Sequence, residues 1–146
     1  MKVKEIMTKE IKSLPPEMRA KEALDILINM KISGLPVLDK EGRLVGMFTE
    51  KDILRAILPG YLEKVGKFVY VENPKSIKIK IAGLDKLKVE DIMRKEVVTV
   101  SEDTTLCEAA RLVLTQAIRR IPVLNKEHKV AGIIAREDII KGLLTP

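Results

Sequence analysis

Two short stretches of this 146-residue chain carry groups that could bind a phosphorylated ligand. The first, residues 46–52 (GMFTEKD), places Thr49 and Asp52 where an apolar strand pattern changes to a helical one. A hydroxyl and backbone N–H groups at a helix N-terminus stabilise phosphate, and a carboxylate could accept both hydroxyls of a ribose. The same Thr-x-x-Asp spacing also describes a helix cap with an acid in the first turn. Both interpretations stay open on these residues alone.

The second stretch, residues 132–138 (GIIARED), keeps Asp138 but has Ala135 in place of the threonine. The pair Arg119-Arg120 directly precedes another apolar strand pattern. A planar guanidinium suits phosphate, although two solvated arginines at a strand edge would explain the pair equally well. The second stretch therefore predicts a related site with a different set of groups.

An internal repeat relates the two stretches. Residues 3–53 match residues 89–139 without a gap, at a spacing of 86 residues. Residues 35–38 (LPVL) align with 121–124 (IPVL), and Asp52 aligns with Asp138. Two copies are too few for a solenoid, so the sequence predicts two halves that pack on each other.

Within each copy the periodicity predicts strand, helix, strand, strand, helix. In the second copy a β-branched strand over 97–100 leads into a helix over Leu106–Gln116, with Thr105-x-x-Glu108 as a capping box. The first copy has its equivalent helix at Ala20–Lys31, and a polar hairpin turn follows at 39–42. The fold class is therefore α+β, with α/β-like repeats.

The middle segment belongs to neither copy. We divide the chain into a first repeat at 1–58, a linker at 59–86 and a second repeat at 87–146. In the linker, Ile77, Ile79 and Ile81 alternate with lysines, which predicts a strand with one basic face that pairs with residues 68–71. The linker also carries half of the formal net charge of +6, so nucleic acid is a possible partner.

Composition narrows the function classes. No apolar run could span a bilayer and no signal segment leads the chain, which predicts a cytoplasmic protein. One cysteine and one histidine argue against a zinc site, and Cys107 is expected to be a buried small thiol. His128 falls in a predicted turn. Since no nucleophile, phosphate-loop or metal motif is present, we predict no catalytic residues and no required cofactor.

One series of motifs occurs twice: a Val-x-x-Ile-Met head, an Ala-rich helix, a Pro-Val strand and a Gly-x-x-Thr-x-x-Asp tail. In this series, and over about four-fifths of its length, the chain resembles the CBS (cystathionine beta-synthase) domain pair, or Bateman module. The resemblance implies two β-α-β-β-α repeats packed as a pseudo-two-fold pair through their sheets. It also implies a regulatory module whose clefts bind AMP, ADP, ATP or S-adenosylmethionine.

In the family's terms Asp52 and Asp138 bind ribose, Thr49 binds phosphate, and Arg119 and Arg120 stand where relatives carry basic residues. The Ala135 departure puts occupancy of the second cleft in doubt. An adenine slot would be aliphatic and would draw on a set of strand-flanking residues, several of which could equally be core: Ile11, Ile32, Leu35, Val97, Ile118 and Ile121.

Relatives also imply a homodimer formed through the apolar helices, and a regulated enzyme or transporter as partner. Two other functions compete with the sensing module. A nucleic-acid-binding protein would use the basic stretch at 75–88, although four aromatic residues offer few stacking platforms. A structural adaptor would leave its clefts empty.

Overall fold

The computed structural model describes residues 1–58 and 74–145, with side chains in the second range from residue 78 onward. The helices are α1 (Ala20–Met30), α2 (Glu50–Ile57), α3 (Pro74–Gly83), α4 (Val89–Ile92), α5 (Leu106–Gln116) and α6 (Arg136–Leu144). The strands are β1 (Gly34–Leu38), β2 (Leu44–Thr49), β3 (Val100–Ser101), β4 (Arg120–Leu124) and β5 (Val130–Ala135). Within the described residues, no helix is long and apolar enough to cross a membrane.

The chain folds as two compact units that do not coincide with the two sequence copies. Unit 1 contains Met1–Lys12, Asp39–Leu44 and Glu96–Pro146, and unit 2 contains Ser13–Leu38 and Val45–Lys95. We call residues 1–12 and 87–95 the heads of the first and second copies, and the remainder of each copy its body. The head of the first copy therefore packs with the body of the second, and the head of the second copy packs with the body of the first.

Equivalent backbone hydrogen bonds hold the two exchanged heads. In unit 1 the Val3 N–H donates to the Thr104 carbonyl at 2.8 Å, and in unit 2 the Val89 N–H donates to the Met18 carbonyl at 2.8 Å. Both valines are fully buried. Each head is thus an integral part of the unit that it joins, because removing it would expose apolar side chains and unpair backbone groups.

The sheets of the two units have the same order. In unit 2 the paired strands β1 and β2 are extended by a parallel bridge from Leu14 to Val37 and an antiparallel bridge from Met47 to Arg94. In unit 1 the strands run β3-β4-β5, and an antiparallel bridge from Thr8 to Ile133 extends β5. Each head therefore pairs one residue, Arg94 in unit 2 and Thr8 in unit 1, with the free edge of the second hairpin strand.

Each unit has its own core, built from one sheet face and the helices on it. In unit 2 the largest buried side chains include Phe48, Leu14 and Leu27. In unit 1 they include Ile121 and Ile134. Burying one such side chain stabilises a fold by about 1.5–3 kcal/mol, and these faces hold the helix starts described below in fixed positions.

Most predicted elements are confirmed, including the α+β class, the helix over Leu106–Gln116 and the hairpin turn at 39–42. The predicted first helix ends one residue earlier, at Met30, since Lys31 is left-handed with φ 56°. The strand predicted over 97–100 was wrong in its bounds, because only Val100 and Ser101 pair with β4. Thr105 caps α5 as predicted, but the Glu108 carboxylate pairs with Arg111.

Two further predictions were wrong. The strand over 77–81 is part of α3, with Ile79 72% exposed; a helix satisfies its backbone groups locally and needs no partner strand. Its predicted partner, residues 68–71, lies outside the described residues. Cys107 is exposed, because Leu106 and Ala109 take the inward positions on α5. His128 lies in the turn before β5 with φ 61°, as the turn prediction expected.

Candidate ligand site

The start of α2 in unit 2 brings Thr49 and Asp52 together. The Thr49 N–H and hydroxyl donate to Asp52 Oδ2 at 2.8 and 3.0 Å, and the Asp52 N–H donates to Thr49 Oγ1 at 3.4 Å. Asp52 is only 5% exposed. These contacts confirm the capping interpretation, and the bonds from Thr49 occupy Oδ2 of Asp52. Among the described residues Oδ1 makes a long contact of 3.5 Å with Arg55 Nη1, and a carboxylate oxygen with one long contact keeps acceptor capacity for a ligand hydroxyl.

The start of α6 in unit 1 repeats part of this arrangement. The Ala135 N–H donates to Asp138 Oδ2 at 2.9 Å, and the Arg136 N–H donates to the Arg119 carbonyl at 2.9 Å. The pairing of β4 with β5 sets Arg120 opposite Ala135. The structure therefore brings the predicted residues Arg119, Arg120 and Asp138 to one end of the unit 1 sheet.

A glycine explains why the two helix starts differ. A Cβ atom on Gly34 in β1 would lie 2.8 Å from Thr49 Cγ2 and 3.0 Å from the Phe48 carbonyl oxygen. The equivalent pair in unit 1 is Arg120 and Ala135. A threonine at the helix start thus goes with glycine on the neighbouring strand, whereas alanine there leaves room for arginine. The sequence analysis noted the Ala135 departure but missed this coupling.

The apolar residues predicted to form an adenine slot divide into two groups. Leu35 and Ile121 belong to the cores of units 2 and 1, with 6% and 0% exposure. Ile11 and Val97, both in unit 1, are half-buried. Ile32 and Ile118 are also half-buried, but they pack against the cores of units 2 and 1. The half-buried members of this group, and not Leu35 or Ile121, are therefore open enough to contact a ligand.

The heads bring in two polar residues that the sequence analysis missed. Arg94 exchanges backbone hydrogen bonds of 2.9 Å with Met47, two residues before Thr49. Thr8 exchanges backbone hydrogen bonds of 2.9 and 3.0 Å with Ile133, two residues before Ala135. Thr8 and Arg94 are equivalent in the repeat. Their spacing was visible in the sequence, but nothing in it showed which copy each head would join.

Other polar features lie away from these helix starts. A cavity of about 410 Å³ in unit 1, at the opposite end of β4 from Arg120, lies between Thr104 on one side and His128 on the other. Hydrogen bonds from Lys4 and Lys2 lower the pKa of Asp103, and a hydrogen bond from Arg111 lowers the pKa of Glu108. In the part of the chain that the structure describes, no cluster of His, Cys, Asp and Glu could hold a metal ion.

A family model for the CBS domain matches residues 3–59 and again residues 89–145. The chain belongs to the CBS domain family. The two sequence copies are therefore two CBS domains in tandem, and α2 and α6 are the equivalent last helices of the two domains.

One relative of the chain is a much longer enzyme. The chain is 35% identical over 130 residues to inosine-5'-monophosphate dehydrogenase of Aquifex aeolicus, a match that covers 88% of this chain and 22% of the enzyme. The chain thus spans less than a quarter of that enzyme.

Two solved CBS pairs contain adenosine compounds. One is the protein CBSX2 of Arabidopsis thaliana, solved in complex with AMP. Its sequence is 28% identical to this chain, and its structure matches with a TM-score of 0.74 over 98% of this chain and 96% of that chain. The CBS pair of the protein MJ0100, in complex with 5'-methylthioadenosine and S-adenosyl-L-methionine, is 27% identical with a TM-score of 0.69, covering 98% of this chain and 99% of that one.

Proposed function

We propose that this CBS pair is a regulatory module that binds an adenosine nucleotide and catalyses no reaction. The observation that carries the proposal is the presence of AMP, 5'-methylthioadenosine and S-adenosylmethionine in the two similar CBS pairs. Adenosine is the part that these three ligands share. A module that binds such ligands needs side chains for the ribose hydroxyls and for the substituent on the 5' carbon. Each unit offers candidate side chains for both at one helix start.

The proposed ribose ligands are Asp52 in unit 2 and Asp138 in unit 1. Each carboxylate is positioned through Oδ2 by a backbone N–H of its own helix start, at 2.8 and 2.9 Å. That bond fixes the side chain before a ligand arrives, which lowers the entropic cost of binding. Thr49 in unit 2, and Arg119 and Arg120 in unit 1, are proposed to meet the phosphates, and Ile11 and Val97 to border the adenine. Leu35 and Ile121 are buried in the two cores and are not proposed to contact it.

The proposed partners are a second copy of the chain and a regulated enzyme or transporter. Ile28 on α1 and Leu114 on α5 are equivalent in the repeat and are 62% and 81% exposed, which supports self-association through these helices. Light scattering at high micromolar concentration should give twice the mass of one chain, and the mass of a single chain would contradict the dimer. The cytoplasmic location predicted from the sequence stays a prediction.

Calorimetric titration of AMP, ATP and S-adenosylmethionine tests the binding function. We expect a dissociation constant of roughly 1–100 μM for the preferred ligand. Asp52→Ala or Asp138→Ala in the occupied unit should weaken binding by about 1.5–3 kcal/mol, because charged hydrogen bonds to the ribose are lost. Matched controls are Glu50→Ala and Glu137→Ala, which remove an exposed acid from the same first turns and should leave affinity within about twofold.

Thermal unfolding of the same variants separates ribose binding from capping. If the two carboxylates only cap their helices, Asp→Ala should lower stability by about 1 kcal/mol and leave every affinity unchanged. That result would contradict the ribose assignment but not the binding function. The absence of heat, and of any ligand-induced rise in Tm, for all three compounds with the wild-type protein would contradict the binding function itself.

A further inference from the structure

The side chain of Arg94 shares a sheet face with Thr49. Arg94 and Met47 donate to each other's carbonyl at 2.9 Å, which is the close hydrogen-bonded pair of an antiparallel ladder. Residues opposite each other in such a pair project to the same face, and Thr49 follows Met47 by two residues on that face. Met93 projects to the other face, where its Sδ would lie 2.6 Å from a Cβ on Gly46.

This register puts the Arg94 guanidinium within reach of the α2 N-terminus. Arg94 is diagonal to Thr49, and diagonal neighbours have Cβ atoms about 7–8 Å apart, a gap that long side chains cross. Arg94 is exposed, and among the described residues no carboxylate forms an ion pair with it. Its charge is therefore available to a ligand held at Thr49 and Asp52.

The comparison with unit 1 shows why unit 2 needs a cation from the head. Unit 1 carries Arg120 on the strand beside its helix start, but Thr49 leaves no space for a side chain at the equivalent Gly34. At the head position the identities are reversed, with Arg94 in unit 2 and Thr8 in unit 1. Each site thus combines a hydroxyl and an arginine that come from different elements, Thr49 with Arg94 in unit 2 and Thr8 with Arg120 in unit 1.

We infer that Arg94 is a specificity-determining residue of the unit 2 site. Its guanidinium binds the phosphate of a phosphorylated adenosine ligand and selects that ligand over adenosine. The inference rests on the proposed function and adds the ligand class to it. A guanidinium forms charge-assisted hydrogen bonds with phosphate, whereas unmodified adenosine offers it no anionic group.

Titration of AMP and of adenosine into Arg94 variants tests this inference. The background is Asp138→Ala in the full chain, which weakens the unit 1 site so that the unit 2 site dominates. Arg94→Gln should lower AMP affinity about 10-fold and change adenosine affinity by less than about twofold. Arg94→Lys should restore part of the AMP affinity. Lys95→Gln makes the same charge change one residue along the chain, on the opposite side of the extended segment, and should change AMP affinity by less than about twofold.

The outcomes distinguish this inference from the proposed function. Equal AMP affinity in Arg94→Gln and its parent would overturn the role of Arg94 and leave the binding function standing. A parallel loss of adenosine affinity would also overturn it, because Arg94 would then act on the shape of the site. Loss of all binding in the Asp138→Ala background, with a wild type that binds AMP, would place the only working site in unit 1. If the wild type binds none of these compounds, the proposed function fails and this inference fails with it.

Discussion

The starts of α2 and α6 occupy equivalent places in the two CBS domains, yet they carry different side chains on the same backbone. In both, a carboxylate accepts the N–H of the residue that begins the turn, at 2.8 Å in unit 2 and 2.9 Å in unit 1. In both, the N–H of the second residue of that turn donates at 2.9 Å to the carbonyl of the residue just before the neighbouring strand, from Glu50 to Ser33 and from Arg136 to Arg119. The backbone framework is therefore shared.

The side chains around this framework have changed places. Unit 2 has its hydroxyl on Thr49 and its arginine on the head, at Arg94, whereas unit 1 has its hydroxyl on the head, at Thr8, and its arginine at Arg120. The close approach of Gly34 to Thr49 is the physical reason for the difference beside the helix starts, because a Cβ on Gly34 would lie 2.8 Å from Thr49 Cγ2. The two copies thus carry the same two kinds of side chain, a hydroxyl and a guanidinium, at exchanged positions.

The largest expected effect concerns the feature that both units share. A Cβ on Gly46 would lie 2.8 Å from the Arg94 carbonyl oxygen, and a Cβ on Gly132 would lie 2.9 Å from the Thr8 carbonyl oxygen. A backbone oxygen cannot rotate away, so Gly46→Ala and Gly132→Ala should each lower the free energy of unfolding by about 3 kcal/mol. Urea denaturation measures this free energy. Gly83→Ala is the control, since a Cβ there meets no atom within 4 Å and should be tolerated. A large effect in one unit only would break the equivalence of the two heads.

The next effect concerns the feature in which the units differ. Gly34→Ala should lower the free energy of unfolding by about 2 kcal/mol, because the new Cβ meets Thr49 Cγ2 at 2.8 Å. In a Thr49→Ala background the same change should cost less than about 1 kcal/mol, and a double-mutant cycle isolates this coupling.

The reverse exchange in unit 1 is the matched control for that cycle. Ala135→Thr should be destabilising beside Arg120 and should be better tolerated with Arg120→Gly, since the two residues are opposite each other in the β4–β5 pair. Additive effects in both cycles would show that steric exclusion does not explain the exchange of groups.

The smallest effect concerns the ion pairs that join one head to its unit. Lys4 and Lys2 approach Asp103 at 3.2 and 3.4 Å, and their hydrogen bonds lower the pKa of Asp103 below its ordinary value of 3.8. A carboxyl whose pKa is lower in the folded state stabilises the fold above its unfolded-state pKa, and this contribution is lost as the pH falls through the folded-state pKa.

Asp103→Asn should therefore lower Tm slightly at pH 7, and the difference from wild type should shrink toward about pH 3. Circular dichroism melts at both pH values measure this. Glu17→Gln is the control at the equivalent position of unit 2, where no ion pair to Glu17 occurs among the described residues. A difference that grows on acidification would contradict the assigned sign.

The local elements of this protein follow from its sequence, since their causes lie within a few residues. Thr105 caps α5 through the Glu108 N–H, and Asp39 closes the hairpin turn by accepting the N–H groups of Glu41 and Arg43. The 86-residue repeat likewise predicts two equivalent domains. By contrast, alternation of Ile and Lys over 77–81 predicted a strand wrongly, because a strand also needs a partner and a helix does not.

The exchange of the heads and the composition of each candidate site were decided by the tertiary structure. Val3 and Val89 stand at the same place in the repeat, so either could fit either body, and periodicity carries no information about that choice. Packing gave Val89, and with it Arg94, to the body that contains Thr49. The 2.8 Å approach of Gly34 to Thr49 also depends on strand pairing, which joins residues distant in the chain. The sequence thus determines the side-chain types and the local hydrogen bonds. Long-range packing determines which side chains become neighbours in each candidate site.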